Sequence, residues 1–204
     1  RLKQEELDSL TRAGALDGFG EERRKLLWET GLRYQPLGKQ MPLTLPTRQD
    51  MVELPTQTRW ERMAAEYRMM GLSAEGHLFE ELRQELGPRF VTSSQLESLK
   101  EGAAVLVGGM VVRLQHPAAA AYFVTLEDEE GLIPLILWES VYLQYAGKLR
   151  ETFVLAAGKV SRKEGTVNVI VERLGTVADF RARRGHRSQG PGAEAFQQPR
   201  PYFR

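Results

Sequence analysis

The stretch Ala104-Val105-Leu106-Val107-Gly108-Gly109-Met110-Val111-Val112 decides the reading of this chain. After Lys100-Glu101-Gly102 the hydrophobic period changes from helical to extended, and the run that follows is rich in β-branched and aliphatic residues. Its paired glycines would weaken a straight strand but permit a bulge or a strong bend. Four further extended pieces follow: Ala121 to Leu126, Ile133 to Trp138, Thr152 to Val160 and Thr166 to Arg173. Asp128-Glu129-Glu130-Gly131 and Lys163-Glu164-Gly165 are turn signals between them, and Glu139 to Leu149 is predicted as a short helix between strands three and four.

Five strands, a glycine-bent first strand and a helix after the third describe the OB-fold, a small Greek-key barrel. Working outward from it, Leu7, Leu10 and Ala13 share one helical face, Gly14-Ala15-Leu16-Asp17-Gly18 breaks the pattern, and Glu21 to Leu32 resumes it, giving helix, tight hairpin, helix. Four prolines (Pro36, Pro42, Pro46, Pro55) and Gly38 mark a linker, and Trp60 to Leu72, Leu78 to Leu86 and Ser94 to Leu99 are predicted helices. The expected fold class is therefore α+β: an N-terminal helix-hairpin-helix segment (1–33), a linker (34–58), connecting helices (59–100), a five-stranded OB-fold β-barrel (101–178) and a disordered Arg-rich tail (179–204).

Composition narrows the chemistry. The 204 residues are 42% hydrophobic and 27% charged, as in an ordinary soluble domain able to bury a core. No apolar run approaches the ~20 residues needed to cross a bilayer and no signal pattern opens the chain, so the expectation is a cytoplasmic protein without membrane contact. The start at Arg1-Leu2-Lys3, without Met and already inside an amphipathic pattern, reads as a fragment. With no cysteine and three scattered histidines (His77, His116, His186), a metal site is not expected. The acidic run Glu127-Asp128-Glu129-Glu130 has no second carboxylate set or phosphate cradle beside it and reads as a solvated turn, not a catalytic metal site. No catalytic residue and no cofactor is expected in this segment.

Several stretches resemble a known family. Leu10-Thr11-Arg12-Ala13-Gly14-Ala15-Leu16-Asp17 followed by Arg23 to Trp28 resembles the helix-hairpin-helix region of bacterial family C DNA polymerases, the DNA polymerase III alpha type. Glu66-Tyr67-x-x-x-Gly71-Leu72-Ser73-x-x-x-His77 is similar to the stretch that joins that region to the OB domain, with the spacing of the error-prone paralogue. Phe123-Val124-Thr125-Leu126-Glu127-Asp128-Glu129-x-Gly131 and Leu135-Ile136-Leu137-Trp138 match within the barrel, so the resemblance spans roughly residues 5 to 175. Departures are His116-Pro117-Ala118-Ala119-Ala120, less basic than the family's loop; Leu78, where proline usually follows the histidine; and Pro134, in place of a polar residue. The resemblance implies that catalytic aspartates lie in a palm domain upstream.

The candidate nucleic-acid contacts fall in two groups. A glycine hairpin and the N-terminus of its second helix can point amides at duplex phosphates, which nominates Arg12, Gly14, Arg23 and Arg24; a plain αα turn is the structural alternative. On the barrel, Arg113, Gln115, His116, Phe123, Thr125, Trp138 and Lys148 fall where OB barrels track phosphates and stack bases. Strand alternation places Val124 and Leu126 inside and Phe123 and Thr125 outside. Trp138 either caps the barrel or stacks a base, and His116 is a polar loop residue or a phosphate contact. Gln40, Leu43 and Leu45 are similar to a sliding-clamp-binding peptide, the alternative being ordinary linker leucines.

The expected function is the DNA-binding C-terminal part of an error-prone DNA polymerase, whose parent carries out template-directed synthesis in replication and damage-tolerant repair. The hairpin would hold primer-template duplex and the barrel single-stranded DNA. Expected partners are DNA, the sliding clamp and other replication or mutasome proteins. The alternative is a free-standing OB-fold single-strand-binding or adaptor protein.

Overall fold

The computed structural model describes residues 2–34, 53–117, 121–163 and 165–184. The chain forms two compact units, Arg1–Glu75 and Gly76–Arg204. The division runs through the helices expected as a single connecting stretch (59–100) and gives its first helix to one unit and the other two to the second.

The N-terminal unit holds α1 (Gln4–Arg12), a 3-10 turn at Asp17–Phe19, α2 (Arg23–Arg33) and α3 (Arg59–Met70). Thr58 caps α3, its hydroxyl accepting from the Glu61 amide at 3.2 Å while Glu61 accepts from the Thr58 amide at 2.9 Å, and the helix stops at Gly71. Trp60, Met63, Ala64 and Tyr67 form its buried face. Polar groups tie the unit together from inside. Arg23 donates to Asp17 Oδ1 at 2.8 Å and to Glu66 Oε1 at 2.6 Å, and Glu66 also accepts from Ser73 Oγ at 2.6 Å and the Ala74 amide at 3.1 Å. The Asp17 contact, above all, holds the Arg23 guanidinium firmly protonated. Glu66, Ser73 and Gly71 of the quoted motif are thus scaffold residues.

The C-terminal unit opens with α4 (Leu78–Leu86) and α5 (Ser93–Ser98) and continues into β1 (Ala104–Gln115), β2 (Ala121–Glu127) and β3 (Leu132–Trp138). Next come α6 (Glu139–Tyr145), a 3-10 turn at Lys148–Arg150, β4 (Phe153–Lys163), β5 (Thr166–Thr176) and α7 (Val177–Arg184). The strands close in the order β1-β2-β3-β5-β4, with only β3 and β5 parallel. The OB-fold expectation is borne out.

Closure depends on β1 serving two partners. Ala104 to Met110 pair with β4, Met110 to Gln115 pair with β2, and the register slips between Val111 and Arg113. At the changeover the backbones approach so closely that a Cβ on Gly109 would lie 2.6 Å from the Glu127 carbonyl oxygen. Gly158, at the register shift of β4 on β5, would place one 2.1 Å from the Ile170 carbonyl oxygen. Inside lie Val124, Leu126, Ile133, Leu135, Leu137, Val154, Val160 and Val169, all 0–1% exposed.

The acidic turn after β2 is only partly solvated, contrary to the sequence reading. Asp128 is 2% exposed and accepts from the Ser93 amide at 2.8 Å, Ser93 Oγ at 2.7 Å, the Gly131 amide at 2.9 Å and Arg83 Nη2 at 3.0 Å. One carboxylate therefore pins the β2–β3 turn to α4 and to the start of α5. The tail expectation also needs correction. Residues 179–184 belong to α7, which Phe180 fastens edge-on to Phe90 at 5.8 Å between ring centroids, while Arg181 forks onto Glu85 at 2.6 to 3.1 Å. Residues 185–204 lie outside the described residues. No described helix is long and apolar enough to cross a membrane.

Two stability predictions follow from these buried groups. Arg23→Met strands the Glu66 carboxylate without its buried partner and should cost about 3–5 kcal/mol in the N-terminal unit, read as loss of amide-exchange protection in α1–α3. Exchange rates within a few tenths of a kcal/mol of wild type would refute the hub. His77 caps α4, Nδ1 accepting from the Phe79 amide at 3.1 Å, and burial lowers its pKa from 6.5 despite nearby acids. The folded state thus favours the neutral imidazole, and its stabilisation is full above about 6.5 and decreases as pH falls below it. Between pH 7 and 5 the urea midpoint of the C-terminal unit should fall more in wild type than in His77→Asn, which keeps a cap but does not titrate; parallel falls would rule out His77 as the source.

Candidate nucleic-acid interface

Strand alternation sends one set of side chains into the barrel and the other onto an outer face shared by β1, β2 and β3. Register aligns them in rows: Arg113 opposite Thr125, which is opposite Pro134; Gln115 opposite Phe123, which is opposite Ile136; and Ala121 opposite Trp138. Phe123 is 40% exposed and Trp138 is 51% exposed. Trp138 lies on the strand beside Phe123, two residues beyond its direct partner Ile136, a diagonal spacing of ~7–8 Å that lets two aromatic rings cover neighbouring ground. The expectation that Val124 and Leu126 point inward is met, at 1% and 0% exposure.

The polar edge of this platform comes from β1. Arg113 and Gln115 are exposed, one alternation apart on the same face. With the Gln115 amide turned so that its oxygen faces the guanidinium, it accepts from Arg113 Nη2 at 2.7 Å and Nε at 3.3 Å. That contact holds Arg113 over the strand surface and leaves further guanidinium donors for a ligand. Beside this cation the platform carries two exposed aromatic rings, a threonine hydroxyl and the apolar Pro134 and Ile136, and at its far end the same outward set continues to Glu127 opposite exposed Leu132. Sequence reading missed Pro134 and Ile136 here, although strand parity with Trp138 would have found them.

Two nominated barrel residues are engaged elsewhere. His116 stacks on Tyr122 with ring centroids 4.0 Å apart, and Tyr122 stacks in turn on Tyr142 of α6 at 3.5 Å. The ring of His116 thus stands in a stack at an exposed position. Lys148 pairs with Asp179 at 2.6 Å and lies 5.6 Å from the centroid of the Tyr145 ring, so its charge is used within the fold. The Lys148 ammonium, first, and the Thr176 amide hold the Asp179 carboxyl below its usual range.

The hairpin changes more. Gly14 has φ +82°, a conformation that favours glycine, and a Cβ there would strike Arg23 Nη2 at 2.3 Å. Its amide donates to the Thr11 carbonyl at 3.1 Å and the Ala15 amide to Leu10 at 3.0 Å, so both close the turn and neither points at a ligand. Arg23 is 6% exposed inside the ion-pair hub, and its nomination as a phosphate contact is withdrawn for that reason. Arg24 donates to Glu61 at 2.7 Å and to the Pro55 carbonyl at 2.8 Å. Arg12 alone of the four presents an exposed guanidinium. Gln40, Leu43 and Leu45 lie outside the described residues. Among the described residues no group of three or more His, Cys, Asp or Glu is placed to hold a metal ion.

Residues 105–177 match the family model described as OB-fold nucleic acid binding domain. An error-prone DNA polymerase of Caulobacter vibrioides is 32% identical over 202 residues, 95% of this chain and 18% of its own length. One of Anaeromyxobacter sp. (strain K) is 33% identical over 182 residues, 87% of this chain and 16% of its own. The chain is a homologue of the error-prone DNA polymerases. It spans under a fifth of the length of these polymerase relatives. Among solved structures, asparaginyl-tRNA synthetase from Pyrococcus horikoshii is 20% identical over 43% of this chain and 22% of its own, with a TM-score of 0.38.

The division between core and platform is testable by unfolding. Leu135→Ala empties a fully buried site and should cost about 2–5 kcal/mol, whereas Phe123→Ala, at the exposed face, should cost under about 1 kcal/mol. Equal losses in denaturant titrations would mean that Phe123 belongs to the core.

Proposed function

We propose that this chain is the DNA-holding part of an error-prone DNA polymerase and that its barrel grips single-stranded DNA on the outer face of β1–β3. The observation that carries the reading is the placement of exposed Phe123 and Trp138 beside Arg113 and Thr125, in a domain whose family model is a nucleic-acid binder. Aromatic faces accept any base, and one guanidinium with a hydroxyl can hold the backbone between them. Base-independent grip of this kind suits template handling by a polymerase, which must pass every sequence.

The same geometry supports a weak salt dependence for the barrel. A single-stranded ligand loses about 0.7 of a logarithmic unit of affinity per logarithmic unit of salt for each phosphate neutralised, and the platform offers one cation. In this proposal the bases contribute more than the phosphates. The hairpin joins the reading only through Arg12, and duplex holding at this position rests on that side chain and on backbone groups outside the Gly14 turn.

Fluorescence anisotropy of the full 204-residue chain with labelled single-stranded and duplex oligonucleotides at two salt concentrations tests this reading. Single strands should bind more tightly than duplex, and Phe123→Ala should weaken them by about 1–3 kcal/mol. Arg113→Ala should lower the salt slope by about 0.7. Unchanged single-strand affinity in a folded Phe123→Ala protein would place the interface elsewhere.

A further inference from the structure

A concave surface lies within the C-terminal unit, built from the end of α4 and the segment after it, strands β1, β4 and β5 and the helix α7. It encloses about 420 Å³. Its floor is aliphatic and small, with Leu106, Leu155, Ala157 and Leu174 on the strands. Its rim carries Arg89, Arg173 and Arg183, all exposed and without an ion-pair partner among the described residues. The one acid in the lining, Asp179, is already paired with Lys148 at 2.6 Å and so does not neutralise them.

We propose that this cleft docks an acidic peptide segment of a partner protein, with one or two apolar side chains seated on the floor and carboxylates held by the three arginines. Two observations select this occupant over a nucleic-acid strand. Single strands bind on exposed ring faces, and here the rings are spent: Phe180 packs edge-on against Phe90, and Lys148 lies over the Tyr145 ring. The cleft instead offers depth and aliphatic surface, which favour Leu- or Phe-sized anchors, while the guanidinium forks match carboxylates bidentately. α7 forms one wall, held by the fork of Arg181 on Glu85, so the cleft is preformed.

The proposal is independent of the DNA reading of the β1–β3 face. The test is selection of random dodecapeptides displayed on phage against the full chain, followed by anisotropy of the enriched peptides on variants. Enriched sequences should combine Asp or Glu with Leu, Ile or Phe. Their affinity should fall at least tenfold in Arg173→Ser/Arg183→Ser and in Ala157→Phe, which fills the floor while keeping the rim charge; it should hold within twofold in Phe123→Ala. A labelled dT20 oligonucleotide should respond oppositely, weakening in Phe123→Ala and holding within twofold in the cleft variants. The proposal is overturned by absence of acidic enrichment, by peptides that bind the cleft variants as well as wild type, or by dT20 weakening with the cleft variants as it does with Phe123→Ala. Circular dichroism of each variant separates lost binding from lost fold, and the two cleft variants act through different atoms, so one misfolded protein leaves the other to decide.

Discussion

Everything in the C-terminal unit follows from the requirement that β1 hydrogen-bond to two strands that lie on different sides of a barrel. A strand can do so only if it bends and its backbone comes within contact distance of neighbours that a side chain would hold away. Gly109 of β1 against the Glu127 carbonyl is the place where that approach occurs, and Gly158 of β4 against Ile170 of β5 is its counterpart at the other register shift. Closure through the short β3–β5 seam commits alternate residues of each strand to a packed interior. The outward set is then left free for binding, in rows fixed by the register and not by side-chain preference.

Charged residues play two opposed roles in this molecule, and burial separates them. Arg23, Glu66 and Asp128 are almost wholly buried, and each satisfies several partners at once. Removing a charge from water is expensive, so such groups persist only where every donor or acceptor around them is answered. They fix the geometry of turns and helix starts: Asp128 orients the β2–β3 turn, and Glu66 ties α3 to the segment at Ser73 and Ala74. Arg12, Arg113, Arg89, Arg173 and Arg183 remain at the surface, where charge is cheap to keep and available to ligands.

The two surfaces of the C-terminal unit differ in the physics they offer. The β1–β3 face presents exposed aromatic rings beside one exposed guanidinium, which suits stacking that is indifferent to base identity. The cleft beside α7 is concave, aliphatic and cationic at its rim, which suits a ligand that carries its own apolar anchors and negative charge. A closed barrel can support both, because its outside surface runs continuously around the strands while its core needs only the inward half of each.

The barrel was legible in the sequence because local rules act there: period-two alternation, paired glycines and acidic or glycine turn signals each depend on nearest neighbours. All five strands, the α4 bounds and the inward set containing Val124 and Leu126 were readable on that basis. The outward set containing Phe123 and Thr125 was readable too, since parity follows once one residue is placed. What the chain alone could not reveal is which charges are buried. Arg23 and Arg24 are adjacent and chemically identical, yet the fold encloses the first among Asp17 and Glu66 and leaves the second half-exposed on Glu61. His116 read as a polar loop residue, without sign of the ring stack it makes with Tyr122 and Tyr142, and α7 lacked enough apolar residues to be foreseen without Phe90 and Glu85 as partners. These outcomes depend on tertiary contacts between residues from 6 to 96 positions apart. Sequence by itself determined the strand pattern and the fold class, and tertiary structure decided which polar side chains became scaffold and which stayed available to bind.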